Sequence, residues 1–404
     1  MTFRPTLTAF AVFAAGLVFS GAGWAQATDR PWYVGVMQDF TYSSNAYNSS
    51  TNSAGDTLST TTLRGGLNLP FGRQRAFANA SASSQRFSDA NARSHNGYTL
   101  GTGLDWSTVE RLSGRFTLDA NRRLTDFNVG GIVPVTLANI EQTKDFNARV
   151  RLGVVTLLAF EAGIGQRQVS FSAPEFASRE YKQGNGSLGV TYRPSAILTL
   201  GTGLSKQRTR FLVAAPGQAA ADRSDRQDAY LSANWVPTGA STVIARVNFG
   251  KTEYERATAA NFSGVTGSLS WAWRPTGLLS LATSLSRDTG QESGFLRLVE
   301  GAVVSATDFS QVSTALSLQA SYALTGKIGL TAGLAYSRRN LVDGFTGVAG
   351  SDTSKLASLG VRWAATRTMA FGCTAGQGSR SATGIGSDSY GNKHFGCFGQ
   401  LTLD

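Results

Sequence analysis

Between Gln311 and Tyr336 the chain alternates with a period of two. Val312, Thr314, Leu316, Leu318, Ala320, Tyr322 and Leu324 fall on one side, and Ser313, Ala315, Ser317, Gln319 and Ser321 on the other. After Thr325-Gly326-Lys327 the alternation resumes, with Ile328, Leu330, Ala332, Leu334 and Tyr336 against Gly329, Thr331, Gly333, Ala335 and Ser337. Successive strand residues point to opposite faces, so this stretch predicts two strands joined by a tight turn. One face is apolar throughout, while the other is small and polar with no core-sized side chains. A tilted strand needs about 9–11 such residues to cross a bilayer. The hairpin therefore reads as two membrane-crossing strands.

The same unit recurs along the chain. Turn signals fall at Pro70-Phe71-Gly72, Val109–Leu112, near Thr156-Leu157, and at Arg193-Pro194-Ser195, Pro237-Thr238-Gly239, Pro275-Thr276-Gly277, Thr325-Gly326-Lys327 and Thr366-Arg367. Their spacing, roughly 38–50 residues, marks an internal repeat of one supersecondary unit. Longer polar loops join the far ends of the arms: Ser43–Asp56, Asn128–Gln142, Leu212–Asp225, Thr289–Ala306 and Leu341–Ser351. With an opening strand at Trp32–Tyr42 and a closing one at Asp388–Leu403, the pattern predicts an all-β, antiparallel up-and-down barrel. It would have about 18 strands, about 16 being the nearest alternative, with short periplasmic turns and longer extracellular loops. The phase is ambiguous in Arg73–Phe87, where either Phe77 or the Ala76/Ala78/Ala80/Ala82 row could face lipid. In lipid every backbone N–H and C=O must be paired, which demands closure.

The tryptophans give an independent check on this register. Trp106, Trp235, Trp271, Trp273 and Trp363 each precede a tight turn on the apolar face, and Trp32 opens the first strand. That places them at one rim, as an aromatic girdle at the membrane–water interface.

Met1–Ala27 has an early Arg4, an apolar run over Ala9–Phe19 and small residues around Ala25-Gln26-Ala27, the pattern of a secretory signal peptide. Residues 28–404 would then form a single barrel domain in the outer membrane. Aromatics make up 10% of the chain and charged residues only 16%, below the usual quarter. No window of about 18 consecutive apolar residues follows the leader, so no helical span is expected. The net charge of +11 comes without a basic run, and in an exported chain nucleic acid is not expected as a partner.

Opposite the apolar rows lie Arg64, Arg115, Arg123, Arg149, Arg151, Arg167, Arg193, Arg246 and Arg362, against Asp105, Asp119 and Glu161. An excess of guanidinium in a lumen favours anions; the opposing reading is a polar interior in which arginines pair with acids across strands. Cys373 and Cys397 fall on one face of the last two strands, either as a disulfide or as two reduced fillers. His95 and His394 have no metal-ligand neighbourhood, and Ser389, Asn392 and His394 make only a faint hydrolase-like set. Gly101-Thr102-Gly103 and Gly201-Thr202-Gly203 are strand glycines, since no helix follows them. No catalytic residue, cofactor or metal is expected, and the chain does not read as an enzyme.

Asp56–Phe77, with Gly72-Arg73-Gln74-Arg75 after the Pro-Phe turn, the Asn79–Phe87 arm and the closing Phe395–Leu403 resemble the EpsL-type outer-membrane proteins. That family accompanies exopolysaccharide biosynthesis and exosortase-linked gene clusters in Gram-negative bacteria. The resemblance implies a role in polysaccharide export or assembly, with polysaccharide and periplasmic export or assembly components as partners beside outer-membrane lipid. The alternative is a general or anion-preferring diffusion porin for small solutes. Departing from the usual terminal aromatic, the chain ends in Leu403-Asp404.

Overall fold

Each alternating arm is a strand. A computed structural model describes residues 31–403 apart from 51–52, 90–92, 110, 126–138, 154–156, 215–217, 290–309, 343–346 and 385–388. The expected leader Met1–Ala27 and most of the loops Asn128–Gln142 and Thr289–Ala306 lie outside the described residues. The first six strands are β1 (Trp32–Ser43), β2 (Asp56–Phe71), β3 (Gln74–Phe87), β4 (His95–Ser107), β5 (Leu112–Leu124) and β6 (Ile140–Leu152). Next come β7 (Leu158–Phe171), β8 (Tyr181–Ser195), β9 (Leu198–Phe211), β10 (Arg223–Thr238), β11 (Ser241–Tyr254) and β12 (Phe262–Trp273). The last are β13 (Leu279–Asp288), β14 (Ser310–Ala323), β15 (Ile328–Val342), β16 (Ala349–Ala364), β17 (Met369–Gly384) and β18 (Tyr390–Leu403).

All belong to one 18-stranded sheet in which each strand pairs with its neighbours in sequence. Pairing of β1 with β18, Val34 opposite Leu403, closes it into a barrel with no free edge. Closure also brings the start of β1 and the end of β18 to the short-turn rim.

Antiparallel partners share a face, so the register assigns every side chain to one of two surfaces. The outer one is apolar and uncovered: Leu188 and Leu359 are each 68% exposed, Ile164 62% and Leu204 66%. Soluble monomers do not leave so large an apolar area bare. The hydrophobic core cluster is correspondingly small, Phe171 and Ala173 around Phe176 in the β7–β8 connection. These are the properties of a transmembrane barrel, whose apolar side chains face acyl chains.

The structure resolves the phase of Arg73–Phe87. Ala76, Ala78 and Ala82 stand opposite Leu69, Leu67 and Leu63, so the alanine row faces outward and Phe77 inward. One expected turn is displaced. β8 runs through Arg193-Pro194-Ser195 and turns at Ala196-Ile197, with a register shift between Tyr192 and Ser195. A similar shift separates Trp235 from Thr238 around Pro237. Proline has no N–H to give the ladder, and each strand absorbs it as an irregularity rather than ending there. At the β2–β3 turn, Gly72 has φ of +60°, the left-handed region that glycine adopts without steric cost.

Candidate functional site

The inward face is built from small residues, and a few large side chains lie flat upon them. On β15–β17 it presents Gly329, Gly333, Ser358, Gly360, Gly372 and Gly376. The Gly-Thr-Gly pairs explain themselves here. Gly103 lies under the Phe77 ring, and Gly203 under Tyr230 and against the Leu188 carbonyl, where an added Cβ would collide with each neighbour. These stacks hold arginines in turn. The Arg246 guanidinium lies 3.8 Å from the Tyr230 ring centroid, and those of Arg75 and Arg115 at 5.5 and 5.8 Å from that of Phe77. An aromatic face supports a guanidinium while leaving its N–H edges available.

All of Arg64, Arg115, Arg123, Arg149, Arg151, Arg167, Arg193, Arg246 and Arg362 fall on this inward face. Many are neutralised. Arg115 makes a two-pronged ion pair with Asp105, and Arg75 approaches the same carboxylate at 3.8 Å. Arg123 donates to Glu141 at 2.7 Å and Arg167 to Asp145 at 2.5 Å. Arg149 and Arg151 share Glu161 at 3.1 and 2.9 Å.

The expected inward acids Asp105, Asp119 and Glu161 are therefore too few. Asp39, Asp56, Glu141, Asp145, Asp228, Asp288 and Asp352 face inward as well, as do Arg75, Arg226, Arg339 and Arg380. Near the loop end these groups lock into pairs. Arg226 reaches from β10 to β13, donating to Asp228 at 2.8 Å and to the buried Asp288 at 2.7 Å. Arg339 and Asp352 pair directly across β15 and β16.

A different picture holds toward the short-turn end. Among the described residues, Arg64, Arg193, Arg246 and Arg362 have no ion-pair partner. Arg64 donates to the Thr402 hydroxyl at 3.3 Å and leaves its buried Nε without a hydrogen-bond partner. Arg246 donates to Asn248 at 2.8 Å. Arg193 and Arg151 line a small recess beside Thr191 and Thr199. Among the inward-facing groups of the described residues, carboxylates thus outnumber arginines toward the loop end, and arginines outnumber carboxylates toward the short turns.

Trp32, Trp106, Trp235, Trp271, Trp273 and Trp363 lie on the outer face at strand ends beside the short turns, with Trp271 and Trp273 stacked at 5.2 Å. Cys373 and Cys397 stand opposite each other on β17 and β18 and are joined as a disulfide on the outer face, with Cα atoms 4.0 Å apart. His394 and Asn392 face inward, and Asn392 donates to the Asn45 carbonyl in the β1–β2 loop. The Ser389 hydroxyl accepts from the Ala382 amide. Arg93, between the Tyr47 and Phe87 rings, ties this loop to β3. No cluster of metal-ligating side chains occurs among the described residues.

Strand number, closure and apolar exterior define a β-barrel of the outer-membrane class. Similar solved structures include the outer-membrane protein OpdK of Pseudomonas aeruginosa, at 12% identity over 92% of this chain and 99% of that one, with a TM-score of 0.48. OccK5 (OpdH) of the same organism is similar at 12% identity, 95% and 100% coverage and a TM-score of 0.46. Its siderophore receptor PirA is similar at 12% identity, 93% and 81% coverage and 0.40. These likenesses concern architecture and go no further. No family model matches the chain, and no curated protein matches it.

Proposed function

We propose that this barrel is an outer-membrane diffusion conduit that prefers small anionic solutes. The observation behind this reading is the set Arg64, Arg193, Arg246 and Arg362, inward-facing and without carboxylate partners among the described residues. A barrel of this strand number has an interior too wide for its own side chains to fill, which in porins leaves an aqueous channel. Guanidiniums in such a passage raise the local concentration of anions. They also bind carboxylates, phosphates and sulfates through paired N–H donors. Nothing in this scheme needs a nucleophile or general base, and we read the protein as a passage rather than an enzyme.

The resemblance of Asp56–Phe77 and Phe395–Leu403 to EpsL-type proteins supports a second reading, passage or assembly of an exopolysaccharide. Gene deletion separates the two. Loss of small-anion uptake with normal secreted polysaccharide supports the diffusion conduit, and the reverse outcome overturns it in favour of export. In planar bilayers the purified protein is expected to conduct with anion selectivity, and cation selectivity would refute the proposal.

A further inference from the structure

The outer wall has a feature that transit through the lumen does not use. Along one row of the sheet, Lys144 stands opposite Gln168, Gln168 opposite Lys182, Lys182 opposite Arg210, and Arg210 opposite Arg223. This row faces outward, because Leu188 and Leu204 lie further along the same faces of β8 and β9 and are 68% and 66% exposed. Lys206 and Arg208 continue the basic strip down β9 toward Leu204. Asp225 answers only part of it, accepting from Arg208 at 2.8 Å and approaching Arg223 at 3.5 Å. Among the described residues Lys182, Lys206 and Arg210 have no ion-pair partner.

Like charges directly opposed on paired strands destabilise a sheet, and here Lys182, Arg210 and Arg223 are opposed in succession. An anion bridging them would convert that repulsion into charge-assisted hydrogen bonds. The location narrows the choice of anion. The strip lies at the loop-side edge of the apolar wall, where lipid headgroups meet a transmembrane barrel. Opposite Arg208 and Lys206 the chain places Gly184 and Gly186, whose surroundings are open, leaving a shallow floor between the cations. A cationic strip above a bare leucine wall fits an amphiphile better than a free ion.

We propose that this patch docks the phosphorylated headgroup of an outer-leaflet glycolipid, with its acyl chains against Leu188 and Leu204. The inference depends on the transmembrane fold and is independent of anion conduction. Its test uses the purified barrel in detergent, titrated with lipid A that bears two phosphates, with dephosphorylated lipid A, and with inorganic phosphate. Binding is read by native mass spectrometry and by the shift in unfolding temperature. The wild type is expected to respond to phosphorylated lipid A alone. Lys182→Ser/Arg210→Ser, verified as folded by its heat-shifted gel mobility, is expected to bind at least tenfold more weakly while keeping the wild-type reversal potential. Should the double variant fail to fold, Lys206→Gln replaces an exposed cation with no ion-pair partner among the described residues and is expected to weaken binding several-fold. Equal binding by variant and wild type, or an equal response to inorganic phosphate, overturns the proposal.

Discussion

Replacing Arg64, Arg193, Arg246 and Arg362 together with glutamine removes lumen cations that have no ion-pair partner among the described residues, while keeping hydrogen-bonding side chains in place. The expected effect can be sized. A unit charge about 8 Å from a passing ion in water contributes about 0.5 kcal/mol, of which about a third survives one Debye length at 0.15 M salt. Summed over these arginines that is about 0.8 kcal/mol in favour of an anion and the same against a cation. The difference, about 1.6 kcal/mol, corresponds to roughly a tenfold permeability ratio. Some preference should remain, because Arg149 and Arg151 share Glu161 while Arg75 and Arg115 share Asp105. Reversal potentials in planar bilayers under a potassium chloride gradient measure the ratio. At about 1 M salt the Debye length falls to about 3 Å, and variant and wild type should converge to within about twofold. An unchanged reversal potential in the variant at low salt would refute the reasoning, as would a difference that persists undiminished at high salt.

Other consequences concern stability. Arg226→Ala leaves buried Asp288 without its cation and should destabilise the barrel by about 3–5 kcal/mol, seen as a lower urea midpoint in lipid vesicles. Gly203→Ala should cost about 1–3 kcal/mol, because its Cβ meets the Leu188 carbonyl and Tyr230; Gly184→Ala, in open space, should be close to neutral by the same assay. Cys373 and Cys397 are 24 residues apart in sequence, and a bridge closing a loop of this size contributes about 3 kcal/mol in the chain-entropy account. Cys373→Ser/Cys397→Ser should therefore unfold at a lower temperature on heated gels while conducting as the wild type does, since the bridge lies outside the lumen.

The strands were legible because lipid imposes one rule on the whole outer surface. Rows such as Leu316, Tyr322, Leu330 and Leu334 set the phase of each arm, and that phase assigns a face to each candidate arginine. That reference fails where the apolar row ends. Asp228, Asp288, Asp352, Arg226, Arg339 and Arg380 lie near the loop end, where the outer face is also polar and neither face announces itself. Arg75 escaped for a related reason, since the outer row of β3 is alanine and Phe77 competes with it for the lipid side. Glu141 and Asp145 were readable, however, being in phase with Arg149 and Arg151 on β6. Ion pairing across strands was out of reach, because it needs the register between strands as well as the face along each one.

The central claim is that alternate side chains separate lipid from lumen, with the tryptophans on the lipid side of the short-turn rim. Trp32, Trp106, Trp235, Trp271, Trp273 and Trp363 make it measurable by fluorescence quenching in vesicles of lipids brominated at defined depths. The account predicts strong quenching by bromines near the headgroups and weaker quenching by bromines at the bilayer centre. Tryptophan emission untouched by bromine at any depth would contradict it.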